Sequence, residues 1–216
     1  MPTSPPPRWE QRLQQVVMVI MRLVLAYIFF TQLWWKAPPT FGCPPDFAFT
    51  TANAEGRLQR TSGLCDWIGV ETVWSERPHP LLVANIDNQG DPEIVVDIAP
   101  LAQLNGLFLK NVVQPNIQWF GYLIWGSEAW IFVSLLLGLF SRFGGLTALG
   151  ISGQLLVGLS GISNPYEWEW AYNQLFLLSL WAFAVAPGRI FGIDAWLRPR
   201  LVAMNNPIGR FLYALT

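Results

Sequence analysis

Charged residues are scarce inside the apolar stretches of this chain, so the few that occur there are the first candidates for chemistry. Arg22 lies within one apolar run and Glu128 near the middle of another. An ionisable side chain inside a bilayer costs roughly 3 kcal/mol on insertion scales, so each needs a partner or a purpose. Their depths predict an Arg22–Glu128 pair where the two helices touch. Such a pair either fixes helix register or forms a proton-accepting or headgroup-binding site. Lys36 follows Trp34 and Trp35 and either snorkels to headgroups or projects over a site. Gln154, Asn173 and Gln174, with Gln32 and Tyr122, either line a pocket or hydrogen-bond between helices.

Cys43 and Cys65 are the two cysteines. A disulfide between them, closing a loop of this size in an oxidising compartment, would contribute roughly 3 kcal/mol. A redox-active pair is the competing reading, but the spacing is not the Cys-x-x-Cys that tunes thiol potential. His79 is the one histidine, which leaves no ligand set for bis-histidine haem, zinc or an iron–sulfur cluster. Nor does a phosphate-cradling glycine loop occur. Electron transfer, if this chain takes part in it, would run through a bound quinone, the cysteines or a partner subunit.

The elements that carry these residues are read from hydropathy. The chain is 52% hydrophobic and 12% charged, and its 12 Trp are heavy for a soluble domain. Four apolar segments approach or exceed the roughly 20 residues needed to cross a hydrocarbon core about 30 Å thick. The predicted architecture is an all-α membrane protein, a four-transmembrane-helix bundle with a long extracytoplasmic segment between helices 1 and 2. Its parts are a disordered N-terminus (1–13), helix 1 (14–36), the outer segment (37–115), helix 2 (116–140), helix 3 (144–162), helix 4 (168–187) and a C-terminal tail (188–216). The first apolar run is too long for a secretory signal and is read as a retained anchor.

Orientation follows from the cations. Arg8 and Arg12 precede helix 1, Arg142 sits between helices 2 and 3, and Arg189, Arg198, Arg200 and Arg210 follow helix 4. Retention of positive charge inside predicts both termini cytoplasmic in the inner membrane and residues 37–115 outside. That outer segment carries nine of the fourteen acids. No basic stripe suits nucleic acid, and that partner class is excluded. Within the outer segment, alternation on either side of Asn88-Gln89-Gly90-Asp91 predicts a hairpin between Leu81 and Ile98. Leu101, Leu104, Leu107, Phe108 and Val112 predict an amphipathic helix on the bilayer ahead of Pro115. Five glycines from Gly145 to Gly161 let neighbours approach helix 3 closely.

Two motifs then carry a resemblance. Glu128, followed by Leu135-Leu136-Leu137-Gly138-Leu139-Phe140-Ser141-Arg142, resembles a pattern of the DoxX and DoxD membrane proteins. Ala186-Pro187-Gly188-Arg189 with Gly192-Ile193-Asp194 is similar to the close of their last helix, and Arg22 and Lys36 fit their first. The long outer segment with its two cysteines departs from that pattern. The resemblance implies a subunit of a quinone-linked oxidoreductase, of the thiosulfate:quinone type, taking a small sulfur anion on the outer face. Arg22 and Glu128 would be its catalytic, quinone-proximal charges. Lys36, Gln154, Asn173 and Gln174 would bind substrate or quinone, with Arg57 or Arg60 helping Lys36 attract the anion. The alternative is a non-catalytic accessory subunit that docks with a partner membrane protein in a larger respiratory or photosynthetic complex.

Overall fold

Long runs of leucine, alanine and other helix-tolerant residues, punctuated by Pro and Gly, make this chain mostly helical. The computed structural model describes residues 7–84, 93–162 and 169–216. Helix α1 spans Arg8–Gln32. Two-residue strands β1 (Thr51–Ala52) and β2 (Leu58–Gln59) pair antiparallel and lead into α2 (Gly63–Trp74). Strand β3 (Pro80–Ala84) pairs antiparallel with β4 (Glu93–Asp97). Then come α3 (Ala99–Phe108), α4 (Ile117–Leu137), α5 (Ser141–Leu159), α6 (Glu169–Val185), α7 (Ile193–Ala203) and α8 (Pro207–Leu215).

Among the described residues, two helical runs are long and apolar enough to cross a membrane: Arg8–Gln32, and the continuous stretch Ala99–Leu137 of 39 residues. Ala171–Val185 is apolar but shorter. The β3–β4 pairing is the hairpin expected from the alternation, and its predicted turn lies outside the described residues.

Three boundaries differ from the sequence reading. Helix α1 starts at Arg8, inside the stretch predicted to be disordered. The Pro7 carbonyl accepts from Glu10 N at 3.0 Å and Gln11 N at 3.2 Å, and Glu10 complements the helix dipole in the first turn. The amphipathic α3 exists, with Leu101, Leu104 and Leu107 exposed and Ala102 and Gly106 buried, but the chain does not break at Pro115. A widened π turn over Leu109–Val113 and a tight 3-10 turn over Gln114–Asn116 absorb the missing N–H and the ring, so α3 runs on into α4. The C-terminal tail is folded into α7 and α8.

The residues fall into two compact units, Met1–Thr31 with Ser127–Leu149 and Leu177–Thr216, and Gln32–Gly126 with Gly150–Phe176. In the first, the turn after α4, the turn after α6 and the middle of α1 close on each other through glycines. A Cβ on Gly138 would stand 2.6 Å from Arg22 Nη1 and 2.8 Å from Gly192 Cα. One on Gly188 would stand 2.6 Å from the Asp194 carboxylate and 2.7 Å from Ser141 Oγ. Phe140, Ala186 and Phe191 adopt positive φ here, at 47°, 49° and 49°. Each is strained by about 1 kcal/mol, which the surrounding hydrogen bonds offset.

The second unit is organised by the Cys43–Cys65 disulfide, whose Cα atoms are 5.3 Å apart. The bridge ties the segment after α1 to the start of α2, and Phe41, Leu64, Ile68, Leu109, Val113 and Ile117 pack around it. A buried bridge in an aliphatic cluster is out of reach of exchanging thiols, which favours the structural over the redox reading.

Candidate functional site

Helix α2 is buried along nearly all its length, including two carboxyl groups, Asp66 and Glu71. Burial on every side explains why its apolar residues show no single stripe. Val70 and Trp74 pack with Leu159, Ile162 and Tyr172 from α5, the segment after it and α6. Trp74 Nε1 donates to Ser160 O at 3.2 Å.

The two acids have opposite surroundings. Asp66, in the first turn of α2, faces Arg60, whose Nε and Nη2 both reach Oδ2 at 2.9 and 2.6 Å. Its Oδ1 accepts from Thr61 N at 3.2 Å and from the Thr50 hydroxyl. A guanidinium, a hydroxyl and a backbone N–H thus occupy both carboxylate oxygens.

Glu71 has no cation among the groups that bond it. Its Oε2 accepts from Asn105 Nδ2 of α3 at 3.2 Å and from Gln154 Nε2 of α5. It lies against Gly158, where an added Cβ would stand 2.4 Å from Oε2, so only glycine leaves room for the carboxyl. The residue is 3% exposed. Burial pushes its pKa up to about 7, with the two amide donors pulling the other way. The side chain therefore gains and loses a proton near neutrality, as a general acid or base must.

His79 meets the same residue of α5 from its carbonyl side. The ring is fully buried, with Nε2 3.3 Å from Gly158 O, Nδ1 2.8 Å from Arg77 O, and Trp74 edge-on at 6.3 Å between ring centres. Carbonyls only accept, so a neutral imidazole satisfies one of them at a time. Its backbone is fixed by Asp97, whose Oδ1 takes the N–H of His79 at 3.0 Å. Glu71 of α2, Asn105 of α3 and His79, just ahead of β3, thus gather at the turn of α5 that runs from Gln154 to Gly158.

Of the residues nominated from sequence, Gln154 is in this cluster. Asn173 is half-buried and Gln174 exposed on α6, and the amides on Glu71 are those of Asn105 and Gln154 instead. Lys36 is buried, not snorkelling, with its Nζ 4.7 Å from the centre of the Trp35 ring. Arg60, expected to attract an anion, is taken by Asp66.

The predicted Arg22–Glu128 pair is corrected. Arg22 Nη1 donates to Ile190 O at 3.1 Å and Pro187 O at 3.4 Å, and Nη2 to Phe191 O at 3.3 Å. That puts the guanidinium beside Gly138, ten residues along the chain from Glu128. At 1.5 Å per residue this is about 15 Å of helix, beyond any side-chain contact. Glu128 is buried in α4.

Sequence reasoning missed Glu71, Asn105 and His79 because it read the outer segment as solvent-facing, where an acid has no burial penalty. A signal was present: Glu71 sits between Val70 and Val73, with Trp67 and Trp74 one turn to either side. The chain matches no family model, no curated protein and no solved structure, so the chemistry of the site is read from its own residues.

Proposed function

We propose that the chain is a four-span integral membrane subunit of a quinone-linked oxidoreductase, with α1, α4, α5 and α6 as the spans and both termini cytoplasmic. The observation that carries the reading is Glu71, a carboxyl buried under two amides that titrates near neutrality. Reduction of a quinone by two electrons takes up two protons, and a buried side chain that titrates can relay them from water. Glu71 is suited to holding and releasing one, and Asn105 and Gln154 keep its carboxyl in place. The resemblance of Glu128 with Leu135–Arg142, and of the Ala186–Asp194 stretch, to DoxX and DoxD proteins supports the same class, with thiosulfate as the electron donor.

A second reading, an accessory subunit, is favoured by the outward apolar face of the Ala99–Leu137 run, where Leu104, Trp119 and Tyr122 are exposed. The test is thiosulfate-dependent quinone reduction by the full chain purified from its native membrane, with co-purifying chains recorded. Activity that Glu71→Gln lowers about a hundredfold supports the oxidoreductase, that being the usual worth of a general acid or base. An inactive protein held in a stoichiometric larger assembly supports the accessory reading. Full activity in a folded Glu71→Gln variant removes Glu71 from the mechanism.

A further inference from the structure

The C-terminal helices carry a second feature that the proposed redox role does not use. Helix α8 is amphipathic, with Ile208 and Phe211 outward at 64% and 65% exposure. Its Gly209 is buried against the end of α7, where an added Cβ would stand 2.7 Å from Leu201 O. Helix α7 turns Trp196 and Val202 outward, at 60% and 62%. Exposed bulky side chains on two adjoining short helices need a cover.

The charges say what kind. From Pro187 to Thr216 there are four arginines and one acid, and that acid, Asp194, is fully buried and engaged with backbone N–H groups. Arg189 and Arg198 both donate to Thr216 O, at 2.9 and 3.3 Å, and Arg142 reaches Ala214 O at 3.5 Å. Three guanidinium groups therefore gather at the end of α8. A cavity of about 400 Å³ opens beside them, lined by Arg189, Arg198, Pro199, Val202 and Tyr213. Arg198 lies over the Tyr213 ring at 3.9 Å and Arg200 over Trp196 at 3.4 Å. Stacking fixes these guanidinium planes while leaving their edges as donors, the geometry that suits phosphate. Arg189 Nε is buried without an acceptor, and burial, then repulsion from Arg198 and Arg142, lowers the pKa of Arg189, with Tyr213 and Asp194 pulling the other way. Apolar and aromatic residues beside clustered arginines are the composition of a helix lying in an anionic membrane surface.

We propose that α7 and α8 lie in the membrane interface, with Trp196, Ile208 and Phe211 at the acyl boundary, and that the Arg189–Arg198 cavity holds the phosphate of an anionic phospholipid. Both native cysteines are in the disulfide, so a cysteine introduced by Phe211→Cys takes a nitroxide selectively. A separate Val24→Cys label on the exposed side of α1 reports insertion independently. The full chain is placed in discs of phosphatidylcholine with or without phosphatidylglycerol. The inference expects the α8 label to be reached by oxygen over a water-soluble nickel chelate, and to lose mobility when phosphatidylglycerol is present. Phosphatidylglycerol retained in detergent is expected to fall about fivefold for each charge removed in Arg198→Gln and Arg142→Gln, and to fall by less in Arg198→Lys, which keeps the charge and loses the planar edge of donors. A nickel-accessible α8 label with a lipid-embedded α1 label overturns the inference and leaves the membrane reading standing. If both labels are nickel-accessible, the membrane reading falls with it. Shielding of the α8 label from both reagents means a protein contact, and an effect reproduced by inorganic phosphate in phosphatidylcholine discs means a soluble anion. Either result overturns the proposal.

Discussion

The carboxylate of Asp194 accepts the backbone N–H groups of Phe140 at 2.7 Å and Ser141 at 2.8 Å, so a residue at the start of α7 caps the start of α5 more than fifty positions earlier in the chain. The N–H of Asp194 returns the link to Gly138 O at 2.8 Å, and Gly188 N donates to Ser141 Oγ at 2.9 Å. Four backbone N–H groups, those of Phe140, Ser141, Gly188 and Asp194, find their acceptors within this joint. The turn after α4 and the turn after α6 are the two sides of this joint.

Removing that cap is expected to be severe. Asp194→Ala leaves two buried N–H groups unsatisfied, and bonds to a charged acceptor are worth about 2 kcal/mol each. Asp194→Asn keeps one oxygen and is expected to lose about half as much. Thermal unfolding followed by size exclusion in detergent checks the ranking; equal melting temperatures for the Ala variant and the parent would remove the cap from the account.

Arg22 belongs to the same joint, since its guanidinium takes the carbonyls of Pro187, Ile190 and Phe191. Lysine cannot span three diverging acceptors with one ammonium. Arg22→Lys is therefore expected to lower stability by about 2 kcal/mol, and Arg22→Met by more, because the carbonyls are then left bare. Hydrogen exchange at residues 187–192 reads the loss locally, and an unchanged protection pattern in both variants would contradict it.

How much of this was legible in the sequence follows from what each signal measures. Hydropathy marked apolar helical stretches because it is a sum over many residues, and two of the described helical runs are long and apolar enough to cross a membrane. The disulfide and the β3–β4 hairpin followed from cysteine count and strict alternation. Partnerships were harder. Arg22 and Glu128 looked matched because both are charged and flanked by apolar residues, yet a guanidinium has five donors and three carbonyls serve it as well as one carboxylate. The acid that titrates, Glu71, was hidden because its helix reads as part of a solvated segment, and the packing against Gly158 that buries it is a long-range contact. Glycine spacing in α5 did announce a close neighbour, without saying which.

The Cys43–Cys65 bridge closes a separation of 22 residues, worth about 3 kcal/mol through the unfolded chain. The double variant Cys43→Ser, Cys65→Ser is expected to lose that much stability. Quinone reduction per folded molecule is expected to stay unchanged if the bridge is structural. A loss of turnover with full retention of fold would return the cysteines to the redox chemistry.

Glu71 gives the pH dependence. Its pKa rises from an ordinary carboxyl value of 4.5 to about 7 on folding, so between these values the folded state keeps a proton that the unfolded state has released. Stability then falls as pH rises, at about 1.4 kcal/mol per pH unit. The contribution is fully present below pH 4.5, is lost as pH climbs through about 7, and is flat above, a change of about 3 kcal/mol. Glu71→Gln is expected to remove this slope and to be more stable than the parent at pH 8, where the parent must bury a charge. Gly158→Ala tests the same packing from the other side, because its methyl group would displace Oε2 and disturb the bonds to Asn105 and Gln154. Unfolding midpoints of the parent and Glu71→Gln from pH 4 to 8 decide the matter; parallel curves would show that Glu71 holds the same charge folded and unfolded.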